Sequence, residues 1–181
     1  SGSITVNAQT VQLTTGSASQ SVCQNAPMTP IVYNISGLAT GASLSWQSTS
    51  LAPGVTGTYD AGTKTFTISG TPAAAPGVYS FTVTTSGTCG EATATGSITI
   101  TALAVPGSIT APTAIICNGG PGSLTVLGGS SNPVRWESSP TNAAPWAAIN
   151  NTTITLSIPS VTSGLYYRAI VSNGCGEVAS N

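Results

Sequence analysis

The sequence predicts an all-β protein built from two tandem β-sandwiches, and three observations support this fold class. Its 181 residues include 29 Thr, 25 Ser, 21 Gly and 12 Pro; Thr favours strands, whereas Gly, Pro and Ser favour turns. Short segments alternate between apolar and polar residues with the period of a strand, and no segment shows the period of a helix. A unit of roughly ninety residues also occurs twice, which is typical of tandem domains.

The repeat is clearest in two stretches that end in the same tripeptide. Gly77–Glu91 reads GVYSFTVTTSGTCGE, and Gly164–Glu177 reads GLYYRAIVSNGCGE. Each stretch holds Gly-x-Tyr, an alternating strand, a turn with glycine and Cys-Gly-Glu. A second match relates Gly2–Val6 to Gly96–Ile100. Because separate parts of the unit recur, we interpret the chain as a duplication.

The repeat places the domain boundary after residue 102. The first sandwich spans residues 1–102. The second spans residues 103–181, and we expect it to be truncated at its last strand, because the chain ends soon after Cys175. We therefore expect a longer parent protein that continues in both directions. The predicted strands are Ile4–Val6, Thr10–Thr14, Ile31–Ile35, Ser43–Gln47, Thr65–Ser69, Val78–Thr85 and Ala92–Thr101 in the first unit, and Ser123–Leu127, Val134–Glu137, Thr153–Ile158 and Leu165–Ser172 in the second.

The low charge of the chain excludes several classes of partner. There are 3 Lys and Arg, 4 Asp and Glu and no His, for a net charge of −1. Three cations cannot form the basic surface that binds nucleic acid or an anionic membrane. No apolar run approaches the roughly 18 residues of a membrane span. Hydrophobic residues make up 40% of the chain, which favours a folded protein over a disordered one.

The same composition predicts a protein without catalytic or metal-binding residues. A Ser-His-Asp arrangement needs histidine, and none is present. Calcium sites need clustered oxygen ligands, but Asp60, Glu91, Glu137 and Glu177 are scattered along the sequence. We therefore expect no enzyme activity, no metal and no cofactor.

Four cysteines in a hydroxyl-rich chain indicate an oxidising compartment. Four cysteines allow three pairings, and the recurrence of one pair per unit favours Cys23–Cys89 and Cys117–Cys175. Free thiols, either buried in the core or reactive, are the alternative. In the chain-entropy model, a disulfide that closes a loop as long as that between Cys23 and Cys89 stabilises the fold by roughly 4 kcal/mol. Each predicted bridge would therefore brace its own sandwich.

Aromatic residues supply candidates for the core of each unit. Trp46 and Trp136 fall at similar distances after the first cysteine of their units, and we expect both to fill the core as strand tryptophans do in such sandwiches. Tyr79 and Tyr166 follow glycine at a strand start, which suggests a tyrosine corner with its hydroxyl bonded to backbone. Tyr167 points to the opposite face of the strand from Tyr166, and we expect one of these two to be more exposed.

Trp146 is the candidate binding residue, because it lies in a loop rich in Pro, Ala and Asn rather than in a strand pattern. An exposed tryptophan there can stack on a sugar ring or seat a partner side chain, with Asn150 and Asn151 as neighbouring polar contacts. The alternative is local packing over the end of the sandwich.

Two sets of motifs resemble known repeat families. Residues 51–55 read LAPGV, 70–72 read GTP and 77–83 read GVYSFTV; this series resembles the immunoglobulin-like (Ig-like) and cadherin-like repeats of bacterial surface proteins. The segments 22–25 and 88–100, which contain cysteine, are similar to repeats of very large Bacteroidota adhesins of the SprB gliding-motility type. The resemblance implies two tandem Ig-like β-sandwich domains, secretion by the type IX system, and no catalytic residues.

The resemblance therefore implies a spacer or adhesive module of a long extracellular cell-surface protein. Its expected partners are neighbouring repeats of the same chain, together with surface polysaccharide or another cell-surface protein. Two alternatives remain open. One is a carbohydrate-binding module that uses Trp146, and the other is an accessory domain of a secreted enzyme.

Overall fold

The computed structural model describes residues 2, 8–47, 52–111, 116–162 and 164–180. The regular secondary structure of these residues consists of β-strands. The chain divides into two compact units, residues 1–102 and residues 103–181. The predicted strand Ile4–Val6 and the motif residue Leu51 lie outside the described residues. In the described part of the chain, no helix has the length and apolar character needed to cross a membrane.

Unit 1 consists of two four-stranded sheets. The first has the order β1-β3-β6-β5 and is antiparallel, and the second has the order β2-β8-β7-β4. The strands are β1 (Thr10–Thr15), β2 (Ser19–Cys23), β3 (Ile31–Ser36), β4 (Ala39–Trp46), β5 (Val55–Asp60), β6 (Thr65–Gly70), β7 (Gly77–Gly87) and β8 (Thr93–Thr101). The chain therefore crosses from one sheet to the other between β1 and β2.

The second sheet of unit 1 contains one parallel strand pair. β2 runs parallel to β8, with Ser19 opposite Ser97 and Cys23 opposite Thr101. The pairing continues past both ends of β2, because Ser97 N donates to Ala18 O at 2.8 Å and Gln24 N donates to Thr101 O at 3.0 Å. An early strand and the last strand of unit 1 are thus joined along their whole shared length.

The core of unit 1 lies between its two sheets and comes from the alternating residues that the sequence pattern predicts. On β7 the apolar side chains alternate with polar ones that face solvent. The deepest side chains are Tyr33, Phe66, Phe81, Ile31, Ile35, Ile68, Ile98, Ile100 and Val83. They come from both sheets, so this core is what holds the sandwich together.

Both phenylalanines of the chain lie against a glycine. A Cβ at Gly96, which is directly opposite Phe81 in the β7–β8 ladder, would lie 2.4 Å from the Phe81 ring and 2.3 Å from the carbonyl oxygen of Ala18. A Cβ at Gly57 would lie 2.5 Å from the Phe66 ring. Glycine at these two positions therefore leaves room for two of the largest side chains of this core.

Unit 2 consists of a three-stranded and a four-stranded sheet. The orders are β13-β10-β9 and β12-β11-β14-β15, and every strand pair among the described residues of this unit is antiparallel. The strands are β9 (Ser108–Thr110), β10 (Gly122–Leu127), β11 (Pro133–Ser139), β12 (Ala147–Ile149), β13 (Thr155–Ile158), β14 (Tyr166–Asn173) and β15 (Gly176–Ala179).

The core of unit 2 is smaller than that of unit 1. Its buried cluster consists of Val126, Trp136, Leu156 and Ala169, with Leu124, Ile149 and Tyr167 among the half-buried residues around it. The Trp136 indole nitrogen donates to the carbonyl of Thr153 at 3.0 Å, which satisfies the polar atom of the largest buried side chain. Trp136 thus fills the centre of the core in unit 2, whereas several aromatic and aliphatic residues fill it in unit 1.

The predicted all-β architecture is confirmed, and the strands with clear alternation are found where they were predicted. The sequence pattern missed β2, β5, β9, β12 and β15. β9 and β12 have only three residues each, which is too short for a period to be recognised. β2 and β5 carry mostly polar residues or glycine, because each is an edge strand with little buried surface.

Candidate functional site

The outer face of the four-stranded sheet of unit 2 gathers all four charged residues of that unit. Trp136 and Ala169 are opposite each other in the β11–β14 ladder and both face the core. Because side chains alternate along a strand, Arg135 and Glu137 on β11 and Arg168 on β14 point to the outer face. Glu177 on β15 completes the set. We call these four residues the charge network.

Glu137 is the centre of the charge network. Its Oε1 accepts a hydrogen bond from Arg135 Nε at 2.8 Å, and its Oε2 accepts one from Arg168 Nε at 2.7 Å. Arg135 also reaches Glu177, with Nη1 at 3.0 and 2.9 Å from the two carboxylate oxygens. Two cations and two anions therefore cancel within a single patch.

Burial and the neighbouring charges shift the pKa of Glu137 in opposite directions. The side chain is 9% exposed, and burial alone would raise its pKa. The hydrogen bonds from Arg135 and Arg168 outweigh that effect, so the pKa of Glu137 lies below its ordinary value. The bonds from Arg135 to Glu137 and to Glu177 raise the pKa of Arg135. Glu137 is thus an ionised, fully engaged structural carboxylate, without the raised pKa of a general acid.

Trp146 lies at the edge of the charge network. The Arg168 guanidinium carbon is 4.1 Å from the centre of the indole ring, which is a cation–π contact. Trp146 is half-buried. The loop before it is held by Ser139, whose hydroxyl donates to the Ala143 carbonyl at 2.6 Å. One face of the indole is therefore covered by an arginine that is itself fixed by Glu137.

A shallow hollow of about 290 Å³ adjoins Trp146. It is lined by Asn142, Trp146, Tyr167, Arg168, Ala179 and Ser180. Ser180 is buried, and its hydroxyl accepts a hydrogen bond from the Ala169 N–H at 2.9 Å. The lining thus combines an indole, an amide and a guanidinium on a single surface.

The other two predicted binding residues differ from each other. Asn151 is half-buried, and its Oδ1 accepts hydrogen bonds from the N–H and the hydroxyl of Thr153, both at 2.8 Å. This is an Asx turn that leads into β13. Asn150 is exposed and follows β12 directly. Neither residue lines the hollow beside Trp146, so the structure does not bring the three predicted residues together there.

Both predicted disulfides are wrong, because Cys89 and Cys117 are exposed free thiols. In unit 1 the reason is the parallel pairing of β2. Cys23 ends β2 opposite Thr101 at the end of β8, whereas Cys89 lies in the β7–β8 hairpin, before β8 begins at Thr93. Nine residues of β8 at about 3.3 Å each separate the two positions by roughly 25 Å, far beyond the roughly 6 Å that a disulfide spans between Cα atoms.

The cysteines of unit 2 also lie at opposite ends of their sandwich. Cys117 precedes β10, and its carbonyl closes a turn with Gly120. Cys175 lies in the β14–β15 hairpin. The loop that follows β10 is the one that meets this hairpin end, since the Ser131 hydroxyl donates to the Ser172 carbonyl at 2.8 Å. The length of β10 therefore separates Cys117 from Cys175, for the same reason as in unit 1.

Cys23 and Cys175 are disulfide-bonded. A disulfide in a chain of this composition indicates an oxidising, extracellular type of environment. Part of the prediction from cysteine content is thus supported, although the predicted braces inside each sandwich are not.

The predicted roles of the other aromatic residues hold in part. Trp136 is fully buried, whereas Trp46 is half-buried and packs edge-on against Phe81 with ring centres 6.0 Å apart. Tyr79 forms the predicted corner, as its hydroxyl donates to the Ala75 carbonyl at 2.8 Å. Tyr166 does not form such a corner, because its side chain is 52% exposed. Tyr167 packs against the core instead.

Sequence reasoning missed the charge network as a site. A signal was available, because Arg135 and Glu137 are two apart on a predicted strand and so share a face. Pairing with Arg168 and Glu177 depends on strand order, which the sequence pattern did not provide. Among the described residues, no group of three His, Cys, Asp or Glu side chains is placed to hold a metal ion.

Comparison with known proteins extends these findings. The family model described as "Domain of unknown function (DUF8696)" matches residues 105–181. A search of curated proteins found no match. Among solved structures, the chain is similar to an I-band fragment of titin, with a TM-score of 0.60 and 12% identity over 94% of this chain and 62% of that one. A second titin fragment matches with a TM-score of 0.51 and 14% identity over 89% of this chain and 58% of that one.

These similarities identify the fold as two tandem Ig-like β-sandwiches, as predicted. The chain spans about three-fifths of the length of the titin fragments that it matches. At this level of identity the likeness is one of fold alone.

Proposed function

We propose that the chain is a non-catalytic section of a long, secreted cell-surface adhesin, in which its Ig-like units act as load-bearing spacers. The cysteine-containing segments 22–25 and 88–100 suggest a Bacteroidota gliding-type parent protein that uses type IX secretion. Its neighbours in that protein would be further copies of the same repeat. The observation that best supports this proposal is the parallel pairing of β2 with β8 in unit 1.

Parallel pairing of an early and a late strand resists tension between the ends of a domain. Tension on the ends of unit 1 first passes through β1, which pairs antiparallel with β3. It then reaches β2 at its amino end and leaves β8 at its carboxyl end. In a parallel pair these ends are opposite, so the two strands are pulled past each other and all their hydrogen bonds are loaded together. In an antiparallel terminal pair the same bonds would open one by one from one end.

The hydrogen bonds that carry the load can be assigned from the ladder. Ala18 and Gln24 bond to β8 at its two flanks. Because every second residue of a parallel strand faces its partner, the N–H groups of Gln20 and Val22 also point to β8. The N–H of Ser21 points to the open edge, since β2 is the outermost strand of this sheet.

Composition supports the same proposal. A surface rich in Ser and Thr with a net charge of −1 interacts weakly with ions and with most charged partners. The charge network further neutralises the four charges of unit 2. A spacer must remain inert along its length, and this surface suits that role.

Single-molecule force measurement on the whole chain tests the proposal. Cys23 and Cys175 are disulfide-bonded, and disulfides limit the chain length that force can release, so both are replaced by Ser in every variant. We expect two unfolding events, which the chain length released distinguishes at about 3.6 Å per residue. Unit 1 should unfold at the higher force. Unit 2 should unfold first, because its described strands pair only in antiparallel fashion.

A matched pair of proline variants identifies the strands that bear the load. Gln20→Pro removes an N–H that faces β8, whereas Ser21→Pro removes one that faces solvent. Gln20→Ala controls for the side-chain bond of Gln20 to the Thr29 carbonyl. Only Gln20→Pro should lower the unfolding force of unit 1 strongly. Equal forces for both proline variants would show that β2 does not carry the load.

A sugar site at Trp146 is a second candidate function. The observation that favours it is the hollow beside the indole, whose lining includes the exposed amide of Asn142. Arg168 covers one face of the ring and leaves a sugar only the other face. This site would make unit 2 a binding module rather than a pure spacer.

Glycan titration separates the two functions. Oligosaccharides are added to the whole chain, and tryptophan fluorescence is followed in the wild type, in Trp146→Ala and in Asn150→Ala. A binding module predicts saturable quenching that Trp146→Ala abolishes and Asn150→Ala leaves unchanged, because Asn150 does not line the hollow. No response in the wild type, or an equal response in Trp146→Ala, would rule out the site.

A further inference from the structure

The amino-terminal part of β14 in unit 2 is open on the side of β15. The two strands pair only from Ile170 to Asn173. Ser180 extends the ladder by one step, because its N–H donates to the Ala169 carbonyl at 2.8 Å and its hydroxyl accepts from the Ala169 N–H. Since every second residue of a strand faces the same neighbour, the N–H and carbonyl of Tyr167 also point to this side. Among the described residues, no strand pairs with Tyr167 there.

The corresponding part of unit 1 is covered. β7 pairs with β8 over eight consecutive residues. Phe81 precedes Cys89 by eight residues, as Tyr167 precedes Cys175, so the two aromatic residues correspond. Phe81 is opposite Gly96 of β8 and is fully buried, whereas Tyr167 is half-buried. The described residues of unit 2 therefore do not supply the strand segment that covers this position in unit 1.

Exposed apolar surface marks the same part of β14. Leu165 directly precedes the strand and is 41% exposed, although it lies two residues before Tyr167 and so faces the same side. Tyr79, its counterpart in unit 1, is 8% exposed and lies opposite Ile98 of β8. The hollow of unit 2 borders this surface, since Tyr167 and Ser180 both line it. An open backbone edge beside exposed apolar side chains is the arrangement that accepts an added strand.

We propose that this open edge of β14 binds the Gly2–Val6 segment of a second copy of the chain as an added antiparallel strand. The sequence supplies the reason for this occupant. Gly2–Val6 reads GSITV, and Gly96–Ile100, which covers the corresponding part of β7, reads GSITI. The contact joins two different surfaces, so it propagates from copy to copy instead of closing as a symmetric dimer.

The register of the added strand follows from unit 1. In line with β15, Gly2 takes the place of Gly96 and falls opposite Tyr167. Glycine suits this place, because a Cβ at Gly96 would lie 2.4 Å from the ring that faces it. Ile4 then falls opposite Leu165 and covers it with apolar surface. The segment thus offers a glycine to the aromatic ring and an isoleucine to the exposed leucine.

A synthetic peptide with the sequence of residues 1–7 and capped ends tests the site on the whole chain. Fluorescence anisotropy of the labelled peptide measures its Kd, and hydrogen exchange followed by mass spectrometry locates the bound peptide. We expect saturable binding that slows exchange of the Tyr167 amide. Exchange in the edge strands β5 and β12 should not change.

Variants of the peptide test the direction of its hydrogen bonds. In unit 1 the Ser97 N–H points to β2, so the N–H groups of Ser3 and Thr5 should point away from β14 and those of Gly2 and Ile4 towards it. The Ile4→Pro peptide should therefore bind about tenfold more weakly than the Thr5→Pro peptide. An Ile4→Ala peptide controls for the lost side chain, and a Gly2→Val peptide should bind weakly because it crowds the aromatic ring.

Two variants of the whole chain test the receiving surface. Leu165→Ser removes the side chain that Ile4 would cover and should weaken peptide binding about fivefold. Tyr166→Ser changes an exposed ring on the other face of the strand and should leave the Kd unchanged. Circular dichroism checks that both variants fold.

Light scattering of the wild type tests the contact between copies. The exposed thiols are first blocked with iodoacetamide, so that no new disulfide contributes. The mean mass should rise with concentration and return to that of the monomer when the peptide is in excess.

Any of five outcomes would overturn the proposal. They are no saturable binding, protection confined to another edge strand, equal affinity of the two proline peptides, equal affinity of Leu165→Ser and the wild type, and a monomer at every concentration. Neither mechanical strength nor sugar binding enters these measurements, so failure here leaves both candidate functions to their own tests.

Discussion

Replacement of Glu137 by Gln tests whether the charge network contributes to the stability of unit 2. Gln keeps the shape and one acceptor oxygen but places an N–H₂ group against an arginine that already donates. One charge-assisted hydrogen bond is lost, which typically costs about 1.5–3 kcal/mol. The arginine side chains are 35% and 31% exposed, so water replaces part of the loss. We therefore expect Glu137→Gln to lower the unfolding free energy of unit 2 by about 2 kcal/mol.

Glu177→Gln is the matched control in the same network. Its side chain is 50% exposed and forms an ion pair with Arg135, and exposed ion pairs contribute roughly 0–1 kcal/mol. Native-state hydrogen exchange of the whole chain, measured by mass spectrometry on peptides from β11 and β14, gives the opening free energy of unit 2 directly. Equal losses for the two variants would refute the central role of Glu137.

The pH dependence gives a second check with a defined sign. The pKa of Glu137 in the folded chain lies below the ordinary value of 4.5. Its stabilisation is therefore complete above that ordinary value and is lost as the pH falls through the lower folded-state pKa. The difference between the wild type and Glu137→Gln should shrink in this acidic range, since a protonated Glu resembles Gln. A difference that stays constant down to pH 2 would contradict the electrostatic origin.

Three further predictions concern single positions. Tyr79→Phe removes a hydroxyl that donates to a backbone carbonyl and should cost roughly 1 kcal/mol in urea denaturation, whereas Tyr166→Phe on an exposed ring should cost nothing measurable; equal costs would argue against the corner. Gly96→Ala puts a methyl 2.3 Å from a backbone oxygen and should cost at least about 3 kcal/mol, and an unchanged Tm would count against this packing. Iodoacetamide added to the native chain without reductant should label Cys89 and Cys117 alone, and peptide masses that show either unlabelled would contradict their exposure.

The sequence was informative wherever a local pattern decides the structure. Alternation in residues 65–69 and 78–85 identified strands, because the period of two follows directly from burial on one side. The Gly-x-Tyr pattern located a corner at Tyr79 but not at Tyr166. In unit 2 the following residue, Tyr167, packs on the core. The core-facing tyrosine is therefore one position later in unit 2 than the motif of unit 1 predicts.

Features that depend on strand order were beyond the sequence. The cysteine pairing is the clearest case, because a chain distance of about one unit says nothing about which end of a sandwich a loop occupies. The parallel course of β2 put Cys23 and Cys89 at opposite ends. The contact between Arg168 and Trp146 was hidden for the same reason, since it joins strand β14 to a loop residue that is distant in the sequence.

The two phenylalanine–glycine contacts have a consequence for how this sequence can diverge. At Gly57 the three atoms nearest to a Cβ belong to side chains, two of them to the Phe66 ring, so a smaller residue at 66 removes the closest obstruction to alanine at 57. At Gly96 the obstruction includes the carbonyl of Ala18, which no change of side chain can remove. Position 57 can therefore drift after its partner has shrunk, whereas position 96 is locked by the backbone itself. Glycine at the equivalent of position 96 is thus a diagnostic residue for recognising further copies of the first unit.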